Sequence, residues 1–258
     1  MLIDSHCHLD RLDLLGGSAD VDAILSVARQ RGVDKFLAIG VDLDSSRKLI
    51  ALAAEHPDVY VSVGAHPLQD EAIAVPGVDQ LVDLAASECV IAIGETGLDY
   101  YYSAETSHWQ KQSFINHLQA AKQVGKPVVV HTRNARADTL ELISTHGCRQ
   151  RGGVLHCFTE NWEMAEAALA LNFYISFSGI ITFGNAKALR DVVKKVPLER
   201  ILVETDSPWL APVPYRGKPN VPAYVVEVAQ QVAAIKQLSL KEVAAATSDN
   251  FQRLFGLA

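Results

Sequence analysis

Eight short apolar runs recur along the 258 residues, at 2–5, 35–39, 59–63, 90–93, 127–130, 153–155, 173–177 and 201–203. Several are unbroken Val/Ile/Leu runs without polar alternation, the pattern of parallel strands buried on both faces. Helix-like stretches at 21–31, 45–55, 104–124, 136–145, 162–171 and 186–196 lie between them, and 223–236, 240–246 and 250–255 follow the last. Ordinary stop signals close several of these, among them Gly32, Pro57, Gly125 and Gly147. The longest places Phe114, Leu118, Ala121 and Val124 on one face. Parallel strands need crossover connections. Eight of them without a break in composition predict one α/β domain over residues 1–258, a (β/α)8 TIM barrel rather than an open doubly wound sheet. No Gly-x-Gly-x-x-Gly follows a strand, so the dinucleotide-binding signature is missing.

In such a barrel chemistry gathers where the strands end. The first run ends in His6-Cys7-His8, the third enters Gly64-Ala65-His66-Pro67, and the fourth enters Gly94-Glu95-Thr96-Gly97-Leu98-Asp99. His131 ends the fifth, His156 the sixth, and Glu204-Thr205-Asp206-Ser207-Pro208 the eighth. The second and seventh, ending near Gly40 and Ser178-Gly179, offer no ligand. Strand side chains alternate with period two, so His6 and His8 point the same way while Cys7 turns toward the packed side. Four histidines and two carboxylates (His6, His8, His131, His156, Glu95, Asp206) exceed the need of one tetrahedral zinc and suit two divalent ions. Glu95 is the natural bridge, one oxygen to each ion. Asp206 can bind one ion and hold the proton of the reacting water. The set fits Zn, Mn, Mg or Fe without choosing among them.

Taken together these stretches resemble the TatD family of metal-dependent hydrolases, a branch of the amidohydrolase-like barrels. The likeness runs from Ile3-Asp4-Ser5-His6-Cys7-His8 to Asp249-Asn250-Phe251. It includes Gly64-Ala65-His66-Pro67, Gly94-Glu95-Thr96-Gly97-Leu98-Asp99-Tyr100-Tyr101, Val130-His131-Thr132-Arg133, Leu155-His156-Cys157-Phe158, Gly179-Ile180-Ile181-Thr182-Phe183, Glu204-Thr205-Asp206-Ser207-Pro208 and Arg216-Gly217-Lys218. The resemblance implies a TIM barrel, two divalent ions, and a deoxyribonuclease trimming DNA from its 3′ end. It places the metal roles on His6, His8, Glu95, His131, His156 and Asp206. One departure is Val221 in Asn220-Val221-Pro222, where many relatives carry an acidic residue.

The chemistry expected is phosphodiester hydrolysis by a metal-activated water, with Asp206 and Glu95 as its carboxylates. Arg133 either forks onto phosphate or is a loop arginine paired with Asp138. His66 either donates to phosphate or supports a ligand, a plain turn residue being the bland alternative. Among Tyr100, Tyr101 and Tyr102, one is expected to stack on a terminal base, Tyr101 being the candidate, and at least one to pack in the core. Asp99 either orients a ligand histidine or caps the local turn. Arg216 and Lys218 contact the backbone of the substrate or belong to a solvated loop. His56 and His146 suit helix C-termini. His108 and His117 are expected on the exposed or partly packed surface of the long helix, and Cys157 in the core.

Two rival readings share the scaffold. One is an amidohydrolase-type enzyme acting on small esters, lactones or amides. Many such relatives bridge their metals with a modified lysine at strand four, where this chain has Glu95. The other is a non-catalytic metal-binding barrel, against which the presence of Asp206 argues. A net charge of −7 lacks the basic footprint of a duplex binder. Single-stranded or frayed DNA ends, which need few phosphate contacts and a stacked base, are the expected partner. No obligate protein partner is evident. No apolar run approaches the roughly 18 residues of a membrane span. The start lacks a signal peptide and the four cysteines lack C-x-x-C spacing, which predicts reduced thiols in a cytoplasmic protein.

Overall fold

The eight apolar runs all become strands. In the computed structural model, which describes residues 1–15 and 20–257, they are β1 (Leu2–Cys7), β2 (Val33–Ile39), β3 (Val59–Val63), β4 (Val90–Asp99), β5 (Val128–Arg133), β6 (Gly153–Leu155), β7 (Phe173–Phe177) and β8 (Ile201–Val203). They pair in parallel in sequence order. A bridge between Cys7 and Ser207 joins the two edges, flanked by Asp206 N–H to His6 O and His8 N–H to Ser207 O, both 2.9 Å. The sheet is thereby a nearly closed (β/α)8 barrel, and its seam lies between the segments carrying His6, His8 and Asp206.

Around it run α1 (Val21–Gln30), α2 (Leu43–Ala53), α3 (Val78–Leu84), α4 (Ser107–Val124), α5 (Arg136–His146), α6 (Trp162–Ala170), α7 (Lys187–Lys195), α8 (Val225–Lys236) and α9 (Leu240–Phe255). Strand residues alternate between two cores. Leu2, Phe36, Ala38, Val61, Val128, Val130 and Ile175 meet the helices. Ile3, Leu37, Ile39, Val129, Val154, Tyr174 and Leu202 fill the barrel interior, with Phe251 and Phe255 of α9 packed against them. A register irregularity between Asp4 and Cys7 resets this alternation. Cys7 therefore joins the helix-facing core, fully buried, as the spacing predicts.

Three elements differ from expectation. The helix α3 follows Pro76-Gly77 unannounced: it buries only Leu81, too little to show as a periodic stripe. It is started by Gln80, whose side-chain oxygen accepts from the Gly77 N–H at 2.9 Å. The stretches 240–246 and 250–255 are one helix. Thr247 and Ser248 are poor helix formers, but Thr247 donates to the Val243 carbonyl and the Asn250 amide donates to Leu198 O and Ile201 O, tying the segment to the barrel. Finally, β4 continues past 93 to Asp99, pairing Gly97, Leu98 and Asp99 with His131, Thr132 and Arg133. The glycines permit it. Gly97 has φ +131°, and a Cβ there would collide with the His131 carbonyl oxygen. The sequence Gly-Glu-Thr-Gly thus brings Glu95 and His131 onto paired strands.

Candidate metal centre

Each of the six sequence-predicted ligands reaches the mouth of the barrel, and the geometry divides them around Glu95. The Glu95 Oε2 atom faces His6 Nε2 at 3.5 Å and His8 Nε2 at 4.0 Å. Its other oxygen, Oε1, faces His156 Nε2 at 2.7 Å, His66 Nε2 at 3.4 Å and His131 Nδ1 at 3.5 Å. Asp206 Oδ1 lies 3.6 Å from His6 Nε2 and 3.4 Å from His8 Nε2. One carboxylate thus presents a separate oxygen to each of two imidazole groups.

The donor atoms suit divalent cations better than they suit one another. The Nε2 atoms of His6 and His8 stand 3.2 Å apart. Two nitrogens on one tetrahedral ion at 2.0–2.1 Å are about 3.4 Å apart. His156 Nε2 is buried and makes no hydrogen bond despite its approach to Glu95. Its Nδ1 faces Glu204 Oε1 at 3.4 Å, so the neutral ring keeps its proton on Nδ1 and, once the Nε2 proton is displaced, turns the Nε2 lone pair toward the cavity. The ligating atoms of His6, His8 and Glu95, of His6, His156 and Asp206, and of His66, Glu95 and His131 each fall within 4.8 Å of one another.

Charge follows this arrangement. Burial alone would raise the Glu95 carboxyl, but the surrounding imidazoles of His156, His66 and His131 hold it well below the usual carboxylate range. Burial disfavours a charged His156, yet Glu95 and Glu204 lift its pKa well above the ordinary value. Burial, opposed by Glu95 and aided by His131 and His156, pushes His66 down to about 3. His66 is therefore neutral near pH 7. Its Nδ1 accepts the Leu68 N–H at 3.1 Å, so the proton sits on Nε2, pointing into the site. That makes His66 a donor to an anion.

Asp99 fills both roles considered for it. Its Oδ2 accepts a hydrogen bond from His131 Nε2–H at 2.9 Å, which directs Nδ1 toward Glu95, while Oδ1 accepts the N–H groups of Tyr101 and Tyr102 at 3.0 and 2.9 Å. An amide at this position cannot receive the Nε2 proton on its nitrogen side. Asp99→Asn is expected to weaken metal binding about 10- to 100-fold in a chelator-competition titration. An unchanged affinity would contradict this role.

The remaining candidates separate. Arg133 does not pair with Asp138, which instead takes Lys111 Nζ at 2.6 Å and the Tyr100 hydroxyl at 2.7 Å. The Arg133 guanidinium stacks on the exposed rings of Tyr101 and Tyr102, 3.9 and 4.6 Å from their centroids. Tyr100 is the partly buried member. Arg216 lies on the Phe183 ring, Lys218 is exposed, and Val221 packs partly buried against the main core. Cys157 is not a core residue. Its strand ends at Leu155, so alternation no longer governs it, and it turns through φ +41° to place its sulfur 3.2 Å from Ser178 Oγ, partly exposed.

His117 corrects the surface expectation: it is fully buried. The buried face of α4 is wider than its apolar stripe and includes Gln110, Ser113 and His117. These polar groups hold the loops of the site. Gln110 accepts the Asp99 N–H at 2.8 Å, and His117 Nε2 accepts the Ala65 N–H at 3.0 Å, one residue before His66. Burial lowers the His117 pKa to about 4 from 6.5. The unfolded chain therefore protonates first, and stability on the order of 3 kcal/mol, present above pH 6.5, is lost as pH falls toward 4. Melting of His117→Gln should show a shallower loss between pH 7 and 4 than the parent; parallel curves would contradict it.

Glu204, at the end of the eighth strand but given no role by the sequence, and Arg11 and Trp209, which lie off the strand ends, also belong to the site. Glu204 Oε1 accepts the Cys157 N–H at 2.7 Å beside His156. Arg11 and Trp209 line the cavity of about 370 Å³ above the cluster, with His8, His66, Glu95, His131 and Asp206. Among the described residues no helix is long and apolar enough to cross a membrane.

Comparison with known proteins agrees with the fold and with a metal-dependent hydrolase. The sequence model of the family described as TatD related DNase matches residues 3–256. An Escherichia coli K12 protein described as the uncharacterized metal-dependent hydrolase YcfH is 51% identical over 254 residues, covering 98% of this chain and 95% of that one. The Edwardsiella piscicida protein named 3′-5′ ssDNA/RNA exonuclease TatD is 34% identical over 247 residues, covering 93% and 95%. The crystal structure of YJJV, a TatD homologue from E. coli K12, superposes with a TM-score of 0.91 at 29% identity, covering 100% of this chain and 98% of that one.

Proposed function

Because the chain belongs to the TatD-related DNase family and is a metal-dependent hydrolase of it, we propose that it is a 3′-5′ exodeoxyribonuclease acting on single-stranded or frayed DNA ends. The observation that carries this reading is the division of Glu95, one oxygen toward His6 and His8 and the other toward His131 and His156. We assign the holding of two divalent ions to these residues and Asp206. Such ions, when bound, lower the pKa of water toward 7 and offset charge developing on phosphorus.

The chain's own groups supply the rest. The Asp206 side chain is 14% exposed, against 0–5% for His6, His8, Glu95 and His156, so it faces the cavity where a water would stand. Its carboxylate orients that water and accepts its proton at an Oδ atom. His66 donates its Nε2 proton to a non-bridging phosphate oxygen. Tyr101 offers an exposed ring at the rim for an unpaired base, with the Arg133 guanidinium against it and free of any carboxylate among the described residues. The name of the Edwardsiella relative supports the same substrate class. Product analysis tests it. A 5′-labelled single strand should shorten stepwise, and a blunt duplex should be cut more slowly. Release of the label as mononucleotide from the outset would reverse the polarity.

A further inference from the structure

Among the described residues, six of the nine exposed large apolar side chains (Leu68, Ile73, Tyr101, Tyr102, Trp209, Val213) lie on loops after β3, β4 and β8, at the end of the barrel that carries the candidate metal cluster. Trp209 is the aromatic one that lines the cavity itself. It is 44% exposed, and its ring meets the His8 imidazole edge-on at 5.0 Å. Its backbone is held from both sides. The Trp209 N–H donates to Asp206 O at 3.0 Å, and its carbonyl accepts from the amide of fully buried Asn220, which also donates to Thr205 O. An apolar ring this exposed, fixed to the turn that presents Asp206, is a preorganised platform.

Arg11 stands on the same wall, its N–H donating to His8 O at 3.1 Å. Its Nε is buried with no hydrogen-bond partner, and its nearest carboxylate oxygen, on Asp42, is 3.8 Å from the guanidinium. The Arg11 side chain is 36% exposed and its ion pair with Asp42 is long, so the guanidinium keeps N–H groups available for an anionic oxygen in the cavity. Arg11 and Gln69 also line an adjoining cavity of about 780 Å³, so the wall continues beyond the metal cluster.

We infer that Trp209 and Arg11 form a nucleotide subsite of the metal cavity, Trp209 stacking on an unpaired base and Arg11 taking an oxygen of its phosphate. The inference rests on the phosphodiesterase reading above and gives the site a preference for substrates bearing a base. Trp209 is then a specificity residue, separate from the tyrosine pair beside His131.

Fluorescence and kinetics test it together. Metal-stripped protein, which cannot turn over, is titrated with a short single-stranded oligothymidine. Trp emission should be quenched on binding, and Trp209→Phe, which keeps an aromatic face but removes the reporter, should abolish most of the quench. By anisotropy Trp209→Ala should bind the labelled strand about tenfold more weakly, with Trp209→Phe closer to the parent. In the metal-loaded enzyme, kcat/KM of Trp209→Ala should fall about tenfold further for the oligonucleotide than for bis(p-nitrophenyl) phosphate, which has no base. Arg11→Ala should bind more weakly with a shallower salt dependence. Unquenched parent emission at saturation, or equal losses on both substrates, overturns the subsite alone. A parent that hydrolyses neither substrate overturns the phosphodiesterase reading and the subsite with it.

Discussion

Asp206→Asn is expected to lower kcat on a single-stranded oligonucleotide about 10³-fold, the usual scale of a lost general base. That corresponds to about 4 kcal/mol of barrier. The substitution is nearly isosteric. Asp206 has φ +57°, a conformation that Asn tolerates as Asp does, and its N–H bond to His6 O uses the backbone alone. Asn also keeps one side-chain oxygen toward His6 and His8. What it loses is the negative charge and the ability to accept a proton. Burial works to raise the Asp206 carboxyl, but His8 and His6 hold it below the usual range, so in the parent it is ionised near neutrality. The melting temperature of the metal-free variant should stay close to that of the parent. A kcat within about tenfold, or 1.4 kcal/mol, would remove Asp206 from the proton transfer.

The second large effect concerns the ions. Adding Mn²⁺ or Zn²⁺ to metal-stripped protein at about 100–1,000 times Kd should stabilise it by about 3–4 kcal/mol. For a chain of this length that raises the melting temperature by about 6–16 °C. The physical reason is crowding of donors: His6 and His156 stack at 3.8 Å, and five imidazoles converge on Glu95 and Asp206. His131 and His156 have raised pKa values, held up by Asp99 and Glu95 and by Glu95 and Glu204 respectively, against the opposing effect of burial. A cation competes with protons for these rings, so its affinity should grow from pH 6 to pH 8. Glu95→Gln should remove most of the shift. An equal shift in that variant would place the bound ion elsewhere.

The six candidate donors stand out in the sequence because each follows an apolar run, where direction and burial are set by the barrel. The strand runs themselves stood out for the same reason, being buried on both faces. What escaped is held by contacts between residues far apart in the chain. Helix α3 has one buried residue and no stripe to reveal it, and α9 crosses Thr247-Ser248 only because Asn250 is tied to the β8 region. His117 reads as a surface residue since its partner, the Ala65 N–H, lies 52 positions away. Arg133 and Asp138, close in sequence, are drawn apart by Tyr101 and Lys111. Trp209 and Arg11 belong to neither a ligand spacing nor an amphipathic pattern, and only the shape of the cavity marks them.

The most direct measurement is a titration of metal-stripped protein with Mn²⁺ while shortening of a single-stranded oligonucleotide is followed in the same samples. A two-ion centre on the candidate donors gives no turnover before addition and a rate that reaches its plateau near two equivalents bound. Full turnover in the stripped protein would contradict it, as would an intact strand at saturating Mn²⁺ while a lactone or amide is hydrolysed.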